Sequence, residues 1–592
     1  MSRTSARPST NKRQGRLAIL RSFHRSSVTT PNGASEPEPT TPAPDSQNVV
    51  RDPLTLFLAW SAIAFFVVAV TRRGWISDDG FITMRAVDHL LEGRGFVYNA
   101  GERVLGFTNP LWALLLAVPY LFVRDPYWAP VIASIAVAGV TAFYIAFRSA
   151  KDCRVGALVL MALTFSRSFV DFSTSGLENP LSHLLLVLFY VEFFRKEGSS
   201  LGRLSLFAAL LLINRFDLVP LYLPPLVLAY RERMVKREQR AVVLGWLPAV
   251  LWFGFAVVYY GFPFPNTAYA KLNAEIPARE MIRQGFSYLA DALVNDPQTI
   301  ILIVAAVVVL VVNRSKNSAV AAVLLALGLE VAYVVAIGGD FMSGRFLTPA
   351  VAVSAVVLAT YAGPWLSDAA RLRAATLAVA GVILCLAFSP LRDEPIREKR
   401  DFPVTRIVNE RAWFQEFLLL YLNFRPVQWQ AYGLYADGRN ARGQNRRVVL
   451  YNNVGMFAWG AGPGIHVVDE MALTDPLIAR IPFAYRDDWR TGHLPRPIPD
   501  GYLETLETGR NVIRDPCIAE YFEQLDRVVR GPLFTLERWV SILSLNMPGG
   551  MTVHACPDRI PVQPRPPPVA VEPAPAAPGV PLPVSPGAAP VQ

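Results

Sequence analysis

The chain is 592 residues long, 52% hydrophobic and only 18% Asp, Glu, Lys or Arg, against roughly 25% charged in an ordinary soluble protein. Length alone suggests roughly three or four soluble domains, but charge is nearly absent from long stretches between residues 53 and 390, so the chain reads as a polytopic membrane protein. This excludes a cytosolic enzyme, a secreted disulfide scaffold and a DNA-binding protein. The net charge of +10 is assigned to cytoplasmic loops and the N-terminal tail, where Lys and Arg accumulate, and no nucleic-acid partner is expected.

In chain order, residues 1–52 are rich in Ser, Thr, Pro and Arg without periodicity and read as a disordered cytoplasmic tail. Apolar runs follow at 53–70, 110–123, 128–147, 155–170, 180–194, 204–230, 241–260, 299–313, 318–338, 346–363 and 372–390, giving about 11 transmembrane helices in a domain spanning 53–390. A span needs about 20 apolar residues, so the shorter runs are expected to be tilted, broken or extended by their flanks. The basic run Arg231–Arg240, with Arg195, Lys196, Arg314 and Lys316, marks the cytoplasmic side. It places the N-terminus inside and loops 71–109, 261–298 and 339–345 outside. Placing 171–179 outside as well requires a re-entrant or doubled segment, either between 110 and 170 or at 204–230.

Residues 391–560 alternate polar helical stretches with strand-like runs at Val448–Tyr451 and His466–Val468, as expected of an extracytoplasmic α/β domain. Cys517 and Cys556 fall within it and, if it lies outside, are able to form one disulfide. Cys153 and Cys385, in or near apolar segments, read as buried thiols, and no CxxC spacing suggests a metal or redox motif. Residues 561–592 are Pro- and Ala-rich and read as a disordered, extended tail.

The most informative segment is Ile76-Ser77-Asp78-Asp79-Gly80-Phe81-Ile82-Thr83, just after the first apolar run. Paired carboxylates at the outer boundary suit proton abstraction from a sugar hydroxyl, since each raises the other's pKa toward a useful value. The alternative is that Asp78 caps the following helix and Asp79 supports its dipole. Asn99, Arg103 and Gly106-Phe107-Thr108-Asn109-Pro110 share that loop. Asn214-Arg215-Phe216-Asp217 interrupts an apolar run. Charges at that depth cost about 2.5–3.5 kcal/mol each on insertion scales, which points either to a ligand site or to an Arg215–Asp217 ion pair that pins a broken helix. Glu178, Asp340 and Arg345 stand at further helix boundaries, and Lys271 offers another cation. Arg345 suits a phosphate, because a guanidinium binds oxyanions through two parallel hydrogen bonds.

Together the strings DDGFITMRAVDHLLEGRGFVYNAGERVLGFTNPLW, SGLENPL, FPNTAYAK, GGDFMSGRF, DEMALTDPLIARIP and GHLPRPIPDGYLE resemble those of the GT-C superfamily of polyprenyl-phosphate-sugar glycosyltransferases. Within it, the chain is most similar to the terminal β-(1→2)-arabinofuranosyltransferases of mycobacterial arabinan synthesis, over roughly residues 53–530. The resemblance implies transfer of arabinofuranose from decaprenyl-phosphoryl-arabinose to an arabinan chain end at the outer face of the plasma membrane. It makes Asp78 and Asp79 the catalytic pair. From charge and placement, Arg215, Arg345 and Lys271 are candidates for the donor phosphate, with Glu178, Asp217 and Asp340 in support. His493, Trp489 and Asp475 are candidate acceptor contacts, beside Asp469, Tyr502 and Trp459; the other reading is that these residues fix loops and a helix cap. No cofactor is expected, and although two acids are able to hold a divalent cation, none is expected to be obligatory. The competing readings are a GT-C enzyme using another polyprenyl-phosphate sugar and a non-catalytic transporter or scaffold of envelope or motility machinery.

Overall fold

Ten of the eleven apolar runs fold as helices in the computed structural model. It describes residues 53–362 and 405–547, except 196–197, 273–275, 314–317, 415–428, 445 and 484–488, together with 373, 376, 551 and 556. The eleventh run, at 372–390, the 390/391 boundary, both tails and the markers Lys196, Arg314 and Lys316 lie outside the described residues, save for 373 and 376.

The helices are α1 (Pro53–Arg72), α2 (Asp78–Leu91), α3 (Pro110–Val123), α4 (Trp128–Arg148), α5 (Cys153–Thr164), α6 (Arg167–Asp171), α7 (Asn179–Phe194), α8 (Leu201–Asn214), α9 (Val219–Arg233), α10 (Lys236–Tyr260), α11 (Asn266–Leu272), α12 (Ala278–Asn295), α13 (Pro297–Val312), α14 (Ser318–Ala336) and α15 (Thr348–Val357). Among the described residues five segments are long and apolar enough to cross a membrane: α1, α4, α10, α14 and Arg345–Ala362, which contains α15. The pair α12 and α13, bent by 105° at Asp296, makes a sixth if counted as one span. The runs behind α3, α5, α7 and α8 form shorter apolar helices, so the structure supports a polytopic helical membrane protein with five or six full-length spans among the described residues.

At 204–230 the apolar run is doubled. The run breaks at Arg215 and folds back as a hairpin of α8 and α9. Tyr230 Oη lies 2.6 Å from Ser205 Oγ, and Arg233 Nη1 donates to Ser199 Oγ at 2.8 Å. The break follows from the sequence, because Arg215 and Asp217 cannot face hydrocarbon unpaired and Pro220 follows at the start of α9. The basic end of the hairpin then joins other turns, Ser318 Oγ donating to Glu232 at 2.6 Å. The apex, Asn214–Asp217, lies at the opposite end beside Glu178.

The C-terminal region adds α16 (Glu410–Trp413), α17 (Gly433–Gly443), β1 (Val448–Tyr451), α18 (Val454–Ala461), β2 (His466–Asp469), α19 (Tyr502–Thr508), α20 (Pro516–Val529) and α21 (Leu536–Asn546). The two expected strands form and pair in parallel, Val448 opposite His466, with α18 as their crossover; they are the only named strands among the described residues. Cys517 and Cys556 are bonded, Cα to Cα 5.6 Å, and Cys153 is a buried thiol. From residue 53 onward the described chain belongs to one compact unit, and the C-terminal region rests directly on α2.

Candidate active site

The first turn of α2 separates the two adjacent acids. Ser77 is the N-cap, its hydroxyl accepting from Gly80 N at 3.3 Å, so neither Asp is needed to cap α2. Asp78 is buried and turned to another helix. Its carboxylate accepts from Gly455 N (2.9 Å) and Met456 N (2.8 Å), the unpaired amides at the start of α18. Two turns along α2, buried Arg85 donates to the carbonyls of Ala458, Gly462 (3.2 Å) and Ile465 (3.1 Å) at the other end of α18, and to Tyr98 O (2.9 Å). A carboxylate at the positive end of the helix dipole and a guanidinium at the negative end both match its polarity. Glycine is required at 455, where a Cβ would stand 1.9 Å from Asp78 O. Burial raises the Asp78 carboxyl, the two amides lower it and Asp79 raises it, leaving it at about 6.

Asp79 points elsewhere. It is half-buried, and no hydrogen bond to its carboxylate is formed among the described residues. Burial raises its pKa above the ordinary carboxylate value, opposed by Arg345 and Lys271 and reinforced by Asp340 and Glu178. The pair therefore consists of one acid committed to packing and one left available for proton transfer.

Opposite Asp79 stands a charge cluster built from three chain segments. Glu178, ahead of α7, is buried and accepts from Asn109 Nδ2 (2.9 Å), Arg215 Nη1 and Arg345 Nη2 (3.2 Å). Burial would raise its carboxyl, but Arg215 and Arg345 hold it down at about 2. Arg215 also grips Asp217 with two nitrogens, Nη2 at 2.6 Å. The ion pair read from the sequence thus forms and gains a third member. Arg345 reaches Asp340 at 3.3 Å, and its buried Nε has no partner. Both guanidiniums lie over the Phe346 ring, Arg215 at 4.7 Å. Lys271 is exposed, so its charge is accessible to a ligand. Arg215 is thus fully used as a tether, while Arg345 and Lys271 retain donors.

Glu410 stands in no motif that marks it in the sequence. Backbone bonds from Ser343 N to Val408 O (2.9 Å) and Val408 N to Phe341 O (2.8 Å) stitch the start of α16 to the loop carrying Asp340 and Arg345. Glu410 is 8% exposed, and its Oε2 is buried without a partner. Burial first, then Asp79, pushes its carboxyl well above the usual range. A small cavity beside it is lined by Trp75, Arg167, Asp171 and Ser343. Asp171 holds the wall of that cavity in place, accepting from Arg73 Nη2 at 2.9 Å and lying 3.6 Å from Arg411.

The candidate acceptor residues are distributed differently. Asp475 accepts from Leu477 N (3.0 Å), Ile478 N (2.8 Å) and Tyr502 Oη (2.9 Å). Asp469 accepts from the amides of Met471, Leu473 and Thr474. Both acids and Tyr502 are buried, holding loops together. His493 packs edge-on against Phe341 at 4.3 Å, which brings it to the loop of Asp340 and Arg345, and burial lowers its pKa to about 3. Trp489 is buried under Arg406, and Trp459 packs edge-on against Phe81 and Tyr120. Among the described residues one group of His, Cys, Asp and Glu side chains is close enough to hold a cation, Asp515 with Cys517 and Cys556; its sulfurs are spent on the disulfide.

No family model matches the chain. It is 27% identical over 551 residues to the terminal β-(1→2)-arabinofuranosyltransferase of Mycobacterium tuberculosis, covering 76% of this chain and 85% of that protein. It is 28% identical over 343 residues to the protein of the same name from Corynebacterium glutamicum, covering 50% of this chain and 49% of that one. Both similarities bear out the expectation of a glycosyltransferase close to the terminal β-(1→2)-arabinofuranosyltransferase family.

Proposed function

We propose that the chain transfers arabinofuranose from a polyprenyl-phosphate donor to a cell-envelope arabinan terminus at the outer face of the plasma membrane, with Asp79 as the general base. The observation that carries this reading is the unengaged, half-buried carboxylate of Asp79 facing Arg345 and Lys271. In the transfer, Asp79 takes the proton of the acceptor hydroxyl as its oxygen bonds to the anomeric carbon. The bond from that carbon to the phosphate oxygen breaks, and its electron pair leaves with the polyprenyl phosphate, whose charge is met by Arg345 Nε and Lys271. Asp78 acts as a positioning residue. Its two amide bonds leave it unsuited to serve as a nucleophile beside Asp79, which favours departure of phosphate ahead of attack over two displacements on the acid pair as the route to a retained β-linkage. His493, beside Phe341, is the acceptor-side candidate nearest this loop.

Two features support an outer-face site. Cys517 and Cys556 are bonded, and disulfides persist in oxidising compartments. The basic end of the α8–α9 hairpin is opposite the end that carries Glu178 and Arg215, in keeping with the enrichment of Lys and Arg on the cytoplasmic side. The test is transfer by purified protein in nanodiscs, supplied with polyprenyl-phosphoryl-arabinofuranose and an arabinan acceptor, with and without EDTA. Asp79→Asn is expected to lose about 10²–10⁴-fold in kcat, the usual contribution of a general base, with its melting temperature unchanged. EDTA is expected to leave transfer intact, because cationic side chains already face the leaving phosphate. Full activity in Asp79→Asn overturns the assignment; transfer from a different polyprenyl-phosphate sugar alone would reassign the donor, and transfer from none favours a scaffold.

A further inference from the structure

We propose that α21 (Leu536–Asn546) is an in-plane membrane anchor that seats the C-terminal region on the outer surface of the lipid bilayer. The helix is divided lengthwise. On one face Leu536, Val540, Leu543 and Met547 are 76%, 57%, 50% and 59% exposed, at spacings that form a single stripe on a helix of 3.6 residues per turn, and Phe534, just ahead of the helix, is 80% exposed. On the other face Arg538, Ser541 and Ile542 are buried. A soluble helix hides its apolar stripe and shows its polar one, whereas α21 hides an arginine and shows large apolar side chains.

What the buried face touches sets the height of α21. Arg538 donates to Val258 O (2.8 Å), Tyr259 O (3.0 Å) and Val528 O (2.9 Å), and Asn546 donates to Gly261 O (2.9 Å). Two of these acceptors, Val258 O and Tyr259 O, are among the last carbonyls of α10, which lack partners within their own helix, and Gly261 is the residue that caps it. After its charged start, α10 runs apolar from 241 to 260; at about 1.5 Å per residue this is roughly 30 Å, the thickness of the hydrocarbon core. The carbonyls held by Arg538 therefore lie where hydrocarbon gives way to headgroups, the depth at which aromatic residues such as Tyr259 and Tyr260 concentrate. The flank of α10 itself is apolar and exposed at Leu247, Val250, Leu251 and Phe255, so the stripe on α21 adjoins a surface already made for lipid. A stripe of this kind at this depth fits the acyl–headgroup boundary.

The inference does not depend on glycosyl transfer and is tested without it. The full-length protein is reconstituted into phosphatidylcholine liposomes containing a diazirine-bearing phospholipid, irradiated and mapped by mass spectrometry. Lipid adducts are expected on 534–547 in yield comparable to those on Val250 and Leu251, and absent from the exposed turn at Arg510. The variant Leu536→Asn with Leu543→Asn is expected to lose the 534–547 adducts and keep those on α10. Adducts on α10 with none on 534–547 in the wild type overturn the anchor, an outcome that does not depend on whether the variant folds.

Discussion

Adjacent side chains on one helical turn point about 100° apart, and at Asp78 and Asp79 that angle separates structure from chemistry. Asp78 faces α18 and fixes two amides; Asp79 faces the cations. Because the base must be ionised to accept a proton, kcat/KM is expected to rise with pH through a midpoint above the ordinary Asp value of about 3.9, a profile absent in Asp79→Asn. Asp78 affects stability with its own pH dependence. Its folded carboxyl titrates at about 6, above its unfolded value of about 3.9, so the folded state binds the extra proton between these values. Its contribution to stability is greatest below about pH 4 and declines as pH rises to 6; urea titrations across that range should show the slope in the wild type and not in Asp78→Asn. Gly455→Ala places a methyl against Asp78 O and is expected to cost about 1–3 kcal/mol, as overpacking does, measured as a drop in melting temperature.

Among the elements, the α8–α9 hairpin shows what local pattern reading can and cannot supply. The interruption at 214–217 was legible because charge within an apolar run is rare, and the runs became helices because twenty apolar residues have few other ways to satisfy their backbone in lipid. The partner of the apex was not legible, since Glu178 lies 37 residues upstream. Likewise, the strand-like runs at 448–451 and 466–468 were visible as short apolar stretches between polar helical ones, whereas the attachment of Asp78 to residue 455, 377 positions away, leaves no local trace, and Glu410 belongs to a polar segment without any distinguishing motif. The GGDFMSGR and SGLENPL segments stood out in the sequence; that Arg345 keeps a free Nε while Arg215 does not is a property of packing alone. Arg215→Met leaves Glu178 and Asp217 short of a buried counter-charge, and breaking such a pair costs about 3–5 kcal/mol. That variant is expected to melt early, whereas Arg345→Lys, with its charge kept and its planar fork lost, is expected to raise the donor KM with a smaller change in melting temperature.

For the whole molecule, the membrane helices and the C-terminal region form a continuous unit, so a constraint in one is felt by the other. The disulfide closes a loop of 39 residues, and in the chain-entropy account a closure of that length stabilises by about 4 kcal/mol; Cys517→Ser is expected to lower the melting temperature and to abolish its sensitivity to reductant. The grip of Asp78 and Arg85 on both ends of α18 has a consequence for biosynthesis. The chain is made from its N-terminus, so Asp79 is in place long before residues 455–465 exist, and its neighbour's carboxylate stays unsatisfied until they arrive. The protein is thus assembled in an order that leaves the first turn of α2 unsettled until residues 455–465 have been delivered, and a chain cut short before α18 carries both aspartates yet lacks the two amides that hold Asp78.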